Sequence, residues 1–139
     1  MSRGWLIDTN IVSEWVKPRP DAGIVSWLDE VDEDRVFLSV VSLAEIRFGV
    51  ERLSPGRRRI RLDLWLREEL PERFEGRVVP VDERIADACG RLLARARQAS
   101  RGLGAMDALI AATCLACDLV LATRNLADFD GLGVELFAP

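Results

Sequence analysis

The chain has 139 residues, 49% of them apolar and 30% charged, with a formal net charge of −4 and a mean hydropathy of +0.07. This length suits a single domain, residues 1–139, with a core of its own, and the composition excludes disordered and fibrous classes. Histidine is absent, which removes Ser-His-Asp and Cys-His catalysis along with imidazole acid–base chemistry. An enzyme built from these residues therefore works through carboxylates, metal ions or both.

From Met1 the chain reaches Asp8 before any apolar run long enough for a signal sequence, so export is not expected. Residues 4–7 read as a short buried strand, with Asp8 as the N-cap of a helix through Ile11, Val12 and Trp15 that ends at Pro18-Arg19-Pro20. Asp21 opens a second helix carrying Ile24, Val25, Trp27, Leu28 and Val31, which closes in the acidic patch Asp29 to Asp34. The β-branched run Val36 to Val41 predicts a second buried strand. Ser42-Leu43-Ala44-Glu45 then matches a capping box and opens a helix with Ile46, Val50 and Leu53, broken by Pro55 and Gly56.

Leu62, Leu66 and Leu70 recur every fourth residue beside Trp65, so a helix runs through the arginine-rich stretch toward Pro71, and residues 77–81 give a short strand. Asp82 caps a long helix whose apolar face is Ile85, Ala88, Leu92 and Ala96, and residues 100–104 break it. The next helix holds Asp107 in its first turn. Its apolar stretch, Ala108 to Cys117, falls far short of the roughly 20 residues a bilayer span needs. Leu119 to Ala122 is a strand and Val134 to Phe137 an edge strand. Strands alternating with helices predict an α/β fold on a mostly parallel sheet.

Cys114 and Cys117 have the spacing of a zinc or redox pair, yet three cysteines and no histidine cannot complete a structural zinc site. Buried free thiols in a reducing, cytoplasmic setting are the expectation.

Asp8, Glu45 and Asp107 each have a simple explanation: an N-cap, a capping-box partner, a charge favoured at a helix N-terminus. Their conjunction says more. Asp8 and Glu45 both follow the carboxyl end of a predicted parallel strand, where open α/β sheets hold their ligands, and Asp107 heads a helix able to converge there. Three carboxylates in one pocket repel one another unless a cation neutralises them. All-oxygen ligation favours Mg²⁺ or Mn²⁺ over zinc, and such an ion suits phosphodiester hydrolysis.

Leu6-Ile7-Asp8-Thr9-Asn10, Ser42-Leu43-Ala44-Glu45, Met106 to Thr113, and Ala122-Thr123-Arg124-Asn125 with Asp128-Phe129 together resemble PIN-domain nucleases, most closely the VapC toxins of toxin–antitoxin pairs and their FitB-like branch. The resemblance implies a three-layer α/β/α fold on a four- to five-stranded sheet and an endoribonuclease toxin. It makes Asp8, Glu45 and Asp107 the metal-binding acids, with Thr9, Asn10, Thr123 and Asp128 in support. It further implies an RNA substrate, a VapB-like antitoxin and a homodimer. Asn125 stands where many members carry a fourth catalytic acid, and its amide oxygen can still ligate or orient water. Asp128 lies in the following Asp-Phe step and is not expected to replace that acid.

Arg57, Arg58, Arg59 and Arg61 form one basic cluster and Arg91, Arg95, Arg97 and Arg101 another, suited to phosphates or to a solvated helix face. Asp-Thr-Asn after a strand is also similar to the aspartyl nucleophile of HAD-type phosphatases and receiver domains. Those need a lysine at the phosphoryl group, and Lys17, the only lysine, lies too far along the first helix. The remaining alternative is a PIN-fold protein-binding or nucleic-acid-binding module with a weakened metal site.

Overall fold

The computed structural model describes residues 3–139; Met1 and Ser2, where the segment read for a leader begins, lie outside the described residues. Five strands, β1 (Trp5–Ile7), β2 (Val36–Ser39), β3 (Val78–Val79), β4 (Val120–Ala122) and β5 (Leu136–Phe137), form one sheet in the order β3-β2-β1-β4-β5, every pairing parallel. Helices flank it: α1 (Thr9–Val12), α2 (Ala22–Glu30), α3 (Val40–Glu51), α4 (Arg57–Leu64), α5 (Leu70–Arg73), α6 (Glu83–Gln98), α7 (Ala105–Cys117) and α8 (Leu126–Phe129). The expected α/β/α architecture holds, with the sheet wholly rather than mostly parallel.

Alternation along the strands builds a core on each side of the sheet. Ile7 of β1 and Ala122 of β4 face one cluster with Ile11, Ile46, Val50, Trp65 and Phe74; Leu6 and Leu121 face the other with Ile85, Leu92, Ile110 and Phe129. Trp65 is buried in the first cluster, and Trp5, Trp15 and Trp27 pack against it. Gly4 leads into β1 because a Cβ there would meet the Arg35 carbonyl at 2.8 Å and the Leu119 and Phe37 side chains just beyond.

Asp21 and Asp82 cap α2 and α6 as expected, accepting the N–H of Ile24 at 3.1 Å and of Ile85 at 2.9 Å. The buried stripe of α6 is Ile85, Cys89, Leu92 and Ala96, with Ala88 half-buried at its edge. Burying a side chain such as Leu92 contributes about 1.5–3 kcal/mol.

The expected capping box at Ser42 is corrected. Strand β2 ends at Ser39, whose extended backbone and hydroxyl cap α3 by accepting the Val41 N–H at 3.0 Å. Val40 and Val41 favour strand by their branching, but packing carries them into the helix. Ser42 lies inside the first turn, its Oγ buried without a hydrogen-bond partner among the described residues. Pro71 does not end its helix either. A π turn over Trp65–Glu69 joins α4 to α5, and the wider turn accommodates a proline that lacks an N–H.

Candidate active site

Strand β1 is central, with β2 and β3 on one side and β4 and β5 on the other, so the crossovers diverge around β1 and leave a crevice at its carboxyl end. Asp8 and Thr123 are the first residues past β1 and β4, and the Asp8 N–H donates to the Ala122 carbonyl at 2.9 Å, carrying the ladder one residue further. Asp8 is buried, 6% exposed. Its Oδ1 accepts the Thr9 N–H and its Oδ2 the Thr123 hydroxyl, both at 2.8 Å. Thr123 Oγ1 also accepts the Asn125 N–H at 3.0 Å, which fixes its own proton toward Asp8.

Glu45 falls in the second turn of α3, out of reach of any capping role now that the helix begins at Val40. Its Oε1 accepts the Thr9 hydroxyl at 2.8 Å. Thr9 thus links two carboxylates that are far apart in sequence, donating its backbone N–H to one and its side chain to the other.

Burial pushes the Asp8 carboxyl above its usual range, bonds from Thr123 and Thr9 draw it back, and the charges of Glu45 and Asp128 push it up again; the outcome is raised. Asp107, half-buried in the first turn of α7, is also raised, by burial first and then by Asp8 and Asp128. These four carboxylates share one electrostatic neighbourhood.

Asp128, in the final motif, lies near enough for its charge to raise both Asp8 and Asp107. It sits in α8, a single turn not foreseen in the sequence. Asn125 precedes that turn and is exposed; its backbone N–H is engaged, and its amide has no hydrogen-bond partner among the described residues. Asn10 accepts the Arg124 N–H at 3.3 Å and so ties α1 to the same loop.

Sequence reasoning missed Glu14. Its side chain is 1% exposed, accepts the Asp21 N–H at 2.8 Å and an Arg124 N–H at 3.2 Å, and pairs with Lys17. Burial raises its carboxyl, but the Lys17 bond, the Asp21 N–H and the charges of Lys17 and Arg124 outweigh that and leave it lowered. A charged residue among Ile11, Val12 and Trp15 was the available signal. Lys17, paired here, is not positioned as a phosphoryl-binding lysine.

Among the described residues, no three acidic or thiol groups are gathered tightly enough to hold an ion on their own. Each of Asp8 and Glu45 is held by a threonine hydroxyl. The donor set still fits a hard divalent ion, because Mg²⁺ needs only one or two carboxylates beside its waters. Cys89 and Cys114 are buried free thiols held high by burial, and Cys117 is half-buried.

Residues 5–133 match the PIN domain family. Across 134 residues and 96% of both chains, the sequence is 34% identical to toxin FitB of Neisseria gonorrhoeae. It is 32% identical, with the same coverage, to VapC ribonuclease Y4jK of Sinorhizobium fredii. The crystal structure of FitAcB from Neisseria gonorrhoeae superposes with a TM-score of 0.89 at 34% identity, covering 97% of each chain. The chain belongs to the PIN-domain family, in the branch of toxins that includes FitB and VapC ribonuclease Y4jK.

Proposed function

We propose that this chain is a Mg²⁺- or Mn²⁺-dependent endoribonuclease, the toxin of a VapBC-type pair acting in the cytoplasm, with Asp8, Glu45 and Asp107 as its principal acids and Asp128 beside them. The observation that carries this reading is Thr9 bridging Asp8 and Glu45, which are far apart in sequence, while Asp107 on α7 is raised by burial and then by the charges of Asp8 and Asp128. A bound divalent ion supplies charge stabilisation at the scissile phosphate and a water acidified toward neutral pH. The chain's part is to aim its acids and to offset some of the rise that burial imposes on them. Thr123 holds Asp8, Thr9 joins Asp8 to Glu45, and the positive N-terminal end of α7 favours an ionised Asp107.

RNA phosphates have cations to meet. Arg58 lines, with Thr9, Glu45, Ile46 and Trp65, a groove of about 270 Å³ that opens beside the acids. Arg57, Arg58 and Arg61 have no ion-pair partner among the described residues, whereas Arg59 pairs with Glu51. An antitoxin and a second copy of the chain complete this reading. The relatives named as toxins and the solved FitAcB structure support it, as do Phe48 and Ile60, which are exposed on α3 and α4. No helix among the described residues is long and apolar enough to cross a membrane.

The test is mapping of new RNA ends after brief expression of the wild type beside Asp107→Asn. Discrete cuts that vanish in the variant support the reading. The same ends in both strains, or none in either, favour a binding module instead.

A further inference from the structure

Arg101 belongs by sequence to a basic cluster on α6, but its guanidinium is engaged within the fold. Helix α6 closes in a Schellman motif: Ser100 adopts a left-handed φ of 54°, its N–H reaches the Arg97 carbonyl at 3.0 Å, and the Arg101 N–H reaches the Ala96 carbonyl at 2.7 Å. With the backbone fixed in this way, the side chain crosses to the end of α8. There it donates to the Asp128 carbonyl at 2.8 Å, to the Ala127 carbonyl at 3.5 Å and to the Asp130 carbonyl. Gly131, with φ +77, turns the chain under the guanidinium, and a Cβ at that position would sit 3.4 Å from Arg101 Nη1.

Helix α8 has little else to fix it. It is four residues long and has no side-chain N-cap, and an isolated turn of this length does not persist in water. Phe129 buries one side of it. Its two ends are tied elsewhere, the first by the Asn125 N–H on Thr123 Oγ1, the hydroxyl that also holds Asp8, and the last by Arg101. Arginine suits the second task, because its planar fork serves several carbonyls at once and stays charged opposite the negative end of the turn.

We propose that Arg101 is a positioning residue for the acidic site: by gripping the carbonyls that close α8, it keeps the Asp128 side chain on the Asp8 and Asp107 side of the turn. This rests on the reading of Asp128 as part of that site. Arg101 is accordingly not one of the arginines available to RNA.

The test is a calorimetric Mn²⁺ titration of the full chain, freed of antitoxin, as wild type, Arg101→Ala, Asp128→Asn and the double variant. Acting through Asp128, Arg101→Ala weakens Mn²⁺ binding about 10-fold, and the double variant binds no more weakly than Asp128→Asn alone. Arg101→Lys, which keeps the charge but not the fork, falls between wild type and Arg101→Ala, and it carries the same comparison if the alanine variant does not fold. Losses that multiply in the double variant overturn the proposal, as does an Arg101→Ala protein that binds Mn²⁺ like wild type while Asp128→Asn does not. Unchanged binding in Asp128→Asn removes Asp128 from the site and the proposal with it.

Discussion

The Thr123 hydroxyl donates to Asp8 Oδ2 across 2.8 Å and joins the carboxyl ends of the two central strands through a single proton. Thr123→Val keeps the shape but strips the Asn125 N–H of its acceptor and Asp8 of a donor, at a cost of about 1–3 kcal/mol of stability. That bond also lowers the Asp8 carboxyl. Without it the Asp8 carboxyl rises further, so the acid limb of the pH–cleavage profile moves to higher pH, while Thr123→Ser leaves the limb in place. Denaturant unfolding and the pH profile check the two parts separately.

Asp128 and Asn125 are separable. Asp128 acts on both Asp8 and Asp107, so Asp128→Asn lowers cleavage at limiting Mn²⁺ by about 10-fold or more. Asn125→Ala keeps the backbone N–H that Thr123 accepts and changes cleavage far less. Titration of activity against Mn²⁺ ranks the two variants, and the reverse order would return the fourth position to Asn125.

Metal-free protein carries the strain of its own acids. Asp8 and Asp107 lie above the usual 3.8 when folded, so the folded state retains protons that the unfolded chain has released. Their contribution to stability is present at low pH and is lost as the pH rises from about 3.8 through the raised folded values. Urea unfolding of wild type against Asp8→Asn, both metal-free, shows the difference moving in favour of the variant as pH rises. Mn²⁺ at a hundredfold excess over its Kd adds about 2.7 kcal/mol to the wild type and reverses that order.

Ser39 and Ser42 differ despite their shared chemistry. Ser39 caps α3, so Ser39→Ala costs about 1 kcal/mol. Ser42 buries an Oγ with no partner among the described residues, so Ser42→Ala is neutral or stabilising. Thermal unfolding of the two variants side by side distinguishes them.

Strands were legible because a parallel sheet covered on both faces demands short apolar β-branched runs, and Asp21 and Asp82 announced their helices by side-chain chemistry that acts locally. Ser42-x-x-Glu45 misled because two serines three residues apart both fit a cap, and only the packing of Val40 and Val41 decides between them. The same error concealed why Glu45 matters: freed from capping, it meets Thr9 from another helix. Helix α8 and the grip of Arg101 were illegible for a related reason. One turn of helix has no periodicity to detect, and its stability comes from residues more than 20 positions away.

The central claim, that a divalent ion makes this group of acids a phosphodiesterase, is tested most directly by incubating purified protein, freed of antitoxin, with cellular RNA. Wild type and Asp8→Asn are compared with Mg²⁺ or Mn²⁺ and with excess chelator. The account predicts cleavage by wild type with metal alone, reduced by about 10³-fold or more in Asp8→Asn. Cleavage that persists in excess chelator, or that survives in Asp8→Asn, would contradict it.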